Sequence, residues 1–223
     1  MTESTHLDLP PHINLAIGLW LAVLLASTPW LSAKAGEADK GSKAHAGHLN
    51  HTLEPVKDTI KHSEHAYQIP PVKLTRQDGT ELVFPQALDD GRAVVMNFVF
   101  TTCNSICPML SHTFQQVQTK LGNAINKVHL VSISIDPEQD TPEQLRSYAK
   151  RFKAGPNWDF YTGSVKSSVE VQKAFDVFRG DKMNHAQIIL IRTAPGKPWT
   201  RLEGFIDADT IVNALKTPEP KTN

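Results

Sequence analysis

The segment Ala93–Phe100 (AVVMNFVF) is almost continuously apolar. A strand with one wet face alternates polar and apolar residues, so this one is expected at the centre of a sheet, covered on both sides. After it, Leu110, Phe114, Val117 and Leu121 recur at spacings of four, three and four, the stripe of an amphipathic helix. Val128–Ile135 (VHLVSISI) then reads as a second buried strand. A chain built on strand, helix and strand in this order points to the α/β class.

The flanking segments extend the pattern. Val72–Thr75 and Glu81–Phe84 flank the turn-type tripeptide Gln77-Asp78-Gly79, which predicts a β-hairpin ahead of the central strand. Thr141-Pro142-Glu143-Gln144 supplies an N-cap, a proline for the first helical turn and a capping-box partner. Leu145, Tyr148, Ala149 and Phe152 give that helix its inner face. Phe160 and Tyr161 mark a short strand, Val165–Phe178 a helix, Ala186–Arg192 a strand and Thr200–Phe205 its hairpin partner. Asp209–Lys216 closes the domain as a helix with Asp207 as its cap. The expected fold is an α/β sandwich in the thioredoxin order, with a central mixed sheet and an N-terminal β-hairpin.

Residues 67–217 account for this domain. Ile13–Leu25 is an apolar run broken only by Asn14 and Gly18, which suits the core of a signal peptide and is short for a bilayer span. Ala33-Lys34-Ala35 suits signal peptidase, whereas Glu3 and Asp8 precede the run without any Lys or Arg, so residues 1–35 are expected to be a signal peptide or a retained membrane anchor. Residues 36–66 read as a flexible His-rich linker carrying His45, His48, His51, His62 and His65, five of the ten histidines. Their imidazoles are candidate auxiliary metal ligands, and the alternative is a solvated tether. Residues 218–223 are expected to be a disordered tail. The 23 Lys and Arg balance 23 Asp and Glu, so no net field draws the chain to nucleic acid.

Chemistry concentrates at Cys103 and Cys107, the only cysteines in the chain. They stand where the central strand ends and the amphipathic helix begins, and a helix N-terminus favours thiolate over thiol. Pro108 fits the first helical position, which would leave the loop from Cys103 to Cys107 outside the helix and free to close. Three uses remain open for the pair. A thioredoxin-type reductase prefers two residues between its cysteines and this chain has three. A structural disulfide would close so short a loop that it would add little. Copper(I) coordination needs two soft thiolates and one further donor, such as imidazole. His185, at the start of the strand predicted for 186–192, is the best third donor. Met109 and Met183 are soft as well and read more simply as packing or loop filler.

Thr101-Thr102-Cys103-Asn104-Ser105-Ile106-Cys107-Pro108, then Ser134-Ile135-Asp136-Pro137-Glu138-Gln139-Asp140-Thr141-Pro142, then His185, together resemble the Sco/SenC/PrrC family over roughly residues 69–215. The resemblance implies a thioredoxin-like copper-binding protein on the periplasmic face of the bacterial cytoplasmic membrane. Such a protein helps to assemble the copper centre of cytochrome c oxidase. Cys103, Cys107 and His185 match the family's copper ligands, and Asp136 matches its Asp-Pro motif near the site. The segment Asp181-Lys182-Met183-Asn184 departs from the family pattern, lacking the Tyr and Asp expected close to the histidine. The implied partners are the copper-containing subunit of cytochrome c oxidase or another cuproprotein, and a copper-donor chaperone. The alternative is a thiol–disulfide oxidoreductase that reduces a partner's copper-ligand cysteines, with Cys103 and Cys107 as its redox pair.

Overall fold

A computed structural model of the chain describes residues 60–216. The expected signal peptide or anchor, His45, His48, His51 and the expected tail lie outside the described residues.

Among the described residues the sheet has eight strands in the order β1-β8-β7-β4-β5-β6-β2-β3. The central strand β4 (Ala93–Val99) pairs parallel with β5 (Val128–Ser134), which pairs parallel with β6 (Trp158–Gly163). On its other side β4 meets β7 (Ile188–Arg192) antiparallel, and β7 meets β8 (Trp199–Glu203) antiparallel. The predicted hairpin is β2 (Val72–Arg76) with β3 (Glu81–Phe84), and β2 adds antiparallel to β6. The result is the thioredoxin-like sandwich with a mixed sheet that the sequence predicts.

Helices α1 (Ile106–Leu121), α2 (Pro142–Arg151) and α4 (Ala208–Lys216) cover one face, packing Phe114, Leu145 and Ile211 on Val95, Leu130 and Phe160. Helix α3 (Val165–Ala174) and the hairpin cover the other face, where Val171 and Phe175 meet Met96, Phe98 and Val131. Odd and even residues of β4 and β5 thus enter different cores, which is why neither strand alternates in polarity. At α2, the Thr141 hydroxyl accepts the Gln144 N–H and Pro142 stands in the first turn, as the sequence predicts.

Three expectations change. First, the linker does not run to residue 66: Lys61–His65 forms an exposed edge strand, β1, antiparallel to β8. Its residues KHSEH have no apolar alternation, because the strand is held by backbone pairing rather than by burial. His62 and His65 are three apart in a strand and therefore point to opposite faces, so β1 does not bring them together on one ion. His65 instead stacks on Tyr67 and lies 2.8 Å from the Ser63 hydroxyl. Second, α3 ends at Ala174 rather than at Phe178. Asp176 takes a left-handed conformation (φ 52°), after which Val177 returns its N–H to Gln172. Third, α1 begins at Ile106, so Cys107 lies inside the first turn and Pro108 is not the first residue. Proline is tolerated there because first-turn N–H groups have no intrahelical acceptor to lose.

Candidate metal centre

The carboxyl ends of β4 and β5 define the site. From β4 the chain passes Thr101 and Thr102 to Cys103 and enters α1 two residues before Cys107 at Ser105, whose side chain caps nothing. The Cys103 Sγ accepts the Cys107 backbone N–H at 3.4 Å and lies 3.9 Å from the Ser105 hydroxyl. A sulfur thus takes the place of the usual capping oxygen at the positive end of α1.

The two cysteines, both free thiols, differ in environment. Burial pushes the Cys103 thiol up, but the N–H groups of Cys107 and Ser105 outweigh it and leave its pKa below the ordinary value. Cys107 is fully buried beside Val99 and Phe100, and burial drives its thiol well above the ordinary range. His185 reaches the same place from the start of β7. Its Nε2 lies 3.6 Å from the Cys107 Sγ, across 78 residues of sequence. The imidazole packs edge-on to Phe100, and burial holds its pKa below the ordinary value against a hydrogen bond to the Phe98 backbone. A neutral imidazole is the form that donates a lone pair to a metal.

The structure therefore brings Cys107 and His185 into contact, with the Cys103 sulfur against the Cys107 backbone N–H rather than on the imidazole. As they stand, no three His, Cys, Asp or Glu side chains among the described residues converge closely enough to hold an ion. Asp136 is close but engaged: its carboxylate pairs with Lys182 Nζ at 2.5 Å and lines, with Lys182 and His185, a cavity of about 410 Å³. Met109 and Met183 are 41% and 68% exposed, so neither serves the core.

Asp140 is a site residue that sequence reasoning did not single out. It is fully buried, its Oδ1 accepts the Thr101 N–H and hydroxyl at 3.1 and 2.6 Å, and its Oδ2 accepts the Ser134 hydroxyl at 2.5 Å. Its signal is its place in the stretch from Ser134 to Pro142, which shares a motif with Asp136.

A family model described as SCO1/SenC matches residues 60–218, the whole of the domain just described. The chain belongs to the SCO1/SenC family. Among SCO1/SenC relatives, the SCO1 protein homolog of Bacillus subtilis is 33% identical over 118 residues, 52% of this chain and 58% of that protein. The chain spans about half the length of the curated relatives it matches. The solved structure of BsSco, described as carrying a disulfide switch and as a member of the Sco family of cytochrome c oxidase assembly proteins, is 28% identical. Its TM-score is 0.57, over 69% of this chain and 94% of that one. Arabidopsis thaliana ScoI, solved with copper bound, is 25% identical with a TM-score of 0.55, over 66% of this chain and 94% of that one.

Proposed function

We propose that this SCO1/SenC chain binds one copper ion through Cys103, Cys107 and His185 and acts as an assembly factor for the copper centre of cytochrome c oxidase. The observation that carries the reading is the 3.6 Å contact between Cys107 Sγ and His185 Nε2, which sets a soft sulfur and a neutral imidazole side by side at the strand ends. That donor set suits copper(I), and the copper-bound ScoI relative supports the choice of ion. The residues fit the ion once the part-exposed Cys103 side chain turns from the helix N-terminus toward the pair. Cys103 is the more readily ionised thiol, Cys107 must give up its proton against burial on binding, and His185 binds as the neutral imidazole. Bound there, copper is cargo: it is passed to the copper-containing subunit of the oxidase or to another cuproprotein, and a copper-donor chaperone supplies it. We place this work on the periplasmic face of the cytoplasmic membrane, on the strength of the apolar run Ile13–Leu25 and the Ala33-Lys34-Ala35 tripeptide.

The asymmetry of the thiols favours a second reading, thiol–disulfide exchange. In it the Cys103 thiolate attacks a partner's disulfide, and Cys107 resolves the mixed disulfide, leaving the partner as a dithiol and this chain oxidised. Copper(I) titration of the reduced protein against a competing chelator separates the two. One ion per chain in the wild type, with His185→Ala surrendering it at a chelator concentration about tenfold lower or less, supports the copper reading. Equal retention by His185→Ala removes the histidine from the site. Disulfide reduction at an unchanged rate in His185→Ala, without copper uptake by the wild type, establishes the second reading instead.

A further inference from the structure

His185 sits at the end of a stretch, residues 175–187, with little regular structure beyond a single 3-10 turn at Lys182–Asn184. Most hydrogen bonds at residues 179–184 are local: Arg179 to the carbonyls of Phe178 and Asp176, Met183 N–H to Asp181, and the Asn184 N–H to the Asp181 carbonyl. Lys182 is the exception. Its ammonium reaches across 46 residues of sequence to the Asp136 carboxylate at 2.5 Å. Asp136 is itself immobilised, since it is 7% exposed and its N–H donates to the Ser134 hydroxyl at 3.0 Å. The Ser134 hydroxyl in turn donates to Asp140, the carboxylate that holds Thr101 in the cysteine loop. Lys182 also stands over the Phe100 ring at 5.5 Å, the same ring that packs against the His185 imidazole, and its carbonyl accepts the His185 N–H at 3.3 Å.

We propose that Lys182 is a positioning residue for His185: its ion pair with Asp136 latches the 179–185 loop to the β5–α2 turn and presents the imidazole to Cys107. The proposal rests on the reading of His185 as a metal ligand and adds what fixes that ligand in place. An ordinary surface ion pair contributes little because both side chains lose entropy in a high-dielectric medium. Here one partner is already fixed and buried, so only the lysine is ordered by the contact, and a hydrogen bond between charged groups is among the stronger kinds. The pair also joins the two banks of the site, because the Ser134–Asp140–Thr101 chain continues from Asp136 to the cysteine loop. Opening it frees His185 to swing from Cys107 while the thiols stay in place.

The experiment has an arm without metal and an arm with it. In the metal-free, reduced, full-length protein, Lys182→Met should exchange the amides of residues 183–187 about tenfold faster than wild type, the change expected from losing one charged hydrogen bond. The β4 amides, as an internal control for global stability, should exchange as before. Lys182→Arg should restore protection, and Asp136→Asn should match Lys182→Met, with no further change in the double variant. In the second arm, copper(I) should pass from Lys182→Met to a copper(I)-selective chelator about tenfold faster than from wild type. Unchanged exchange at 183–187 overturns the latch. Faster exchange with unchanged copper transfer overturns it as a device for His185. If wild type takes up no copper, the copper reading falls, and the exchange arm with its Arg rescue still decides whether the latch exists.

Discussion

The difference between the two thiols sets an order of reactivity that alkylation can test. Limiting iodoacetamide at pH 7 samples thiolate at each sulfur, and thiolate fraction changes tenfold per pKa unit while pH stays below the pKa. Cys103 lies below the ordinary thiol value and Cys107 well above it, so at neutral pH thiolate forms far more often at Cys103 than at Cys107. A lower-pKa thiolate is a weaker nucleophile, but with a Brønsted slope of about 0.4 to 0.5 this takes back only part of the advantage. Burial acts in the same direction, because Cys107 has no exposed surface and Cys103 is part-exposed. We therefore expect Cys103 to alkylate at least about tenfold faster in the native reduced protein. Rates would come from quenched time points and fragment-ion mass spectrometry of the peptide that carries both cysteines. In denaturant the two should react alike. Equal native rates, or a faster Cys107, would refute the claim that the α1 N-terminus activates Cys103 while the core silences Cys107.

Two further outcomes test the scaffold. Phe114→Ala empties a fully buried position against Trp158, whose ring lies 5.5 Å away, and should cost about 3 to 5 kcal/mol in urea unfolding; a loss under about 1 kcal/mol would mean that α1 is not seated as described. Burial raises the Asp159 carboxyl, but its hydrogen bond to His129 and the charges of His129 and Arg76 prevail and hold it below the ordinary 3.8. A depressed folded-state pKa means stabilisation that is complete above the unfolded-state value and fades as pH falls through the folded one. Asp159→Asn should therefore melt lower than wild type at pH 7, with the gap closing below about pH 4; a gap of constant size across melts from pH 3 to 7 would contradict that linkage.

What the sequence made legible is what local chemistry encodes. The apolar run at 93–100 and the spacing of Leu110, Phe114 and Val117 state which faces are buried, and the structure buries them. The Thr141 cap is a contact over three residues and needs no tertiary knowledge. Strand β1 was not legible, because an exposed edge strand held by β8 carries no hydrophobic pattern of its own. The end of α3 was not legible either. Phe175 and Val177 remain buried after the helix has stopped, so apolar spacing continues through a left-handed residue that the pattern does not mark.

The candidate site divides along the same line. Cysteines at a strand-to-helix junction announce themselves by type and spacing, and His185 by its place ahead of β7. The frame that joins them does not, since Asp140 bonds Thr101 from 39 residues away and Lys182 bonds Asp136 from 46. Such pairs are specified by topology: parallel β4 and β5 end together, so the loops that follow them lie side by side, and a carboxylate in one loop meets the hydroxyl and N–H of the other. This also accounts for the mixture of residue types in the stretch from Ser134 to Pro142. Ser134 and Asp140 tie the cysteine loop, Asp136 takes the lysine beside the histidine, and Thr141 with Pro142 starts α2. One short segment thereby ties the cysteine loop and the histidine loop to the same turn.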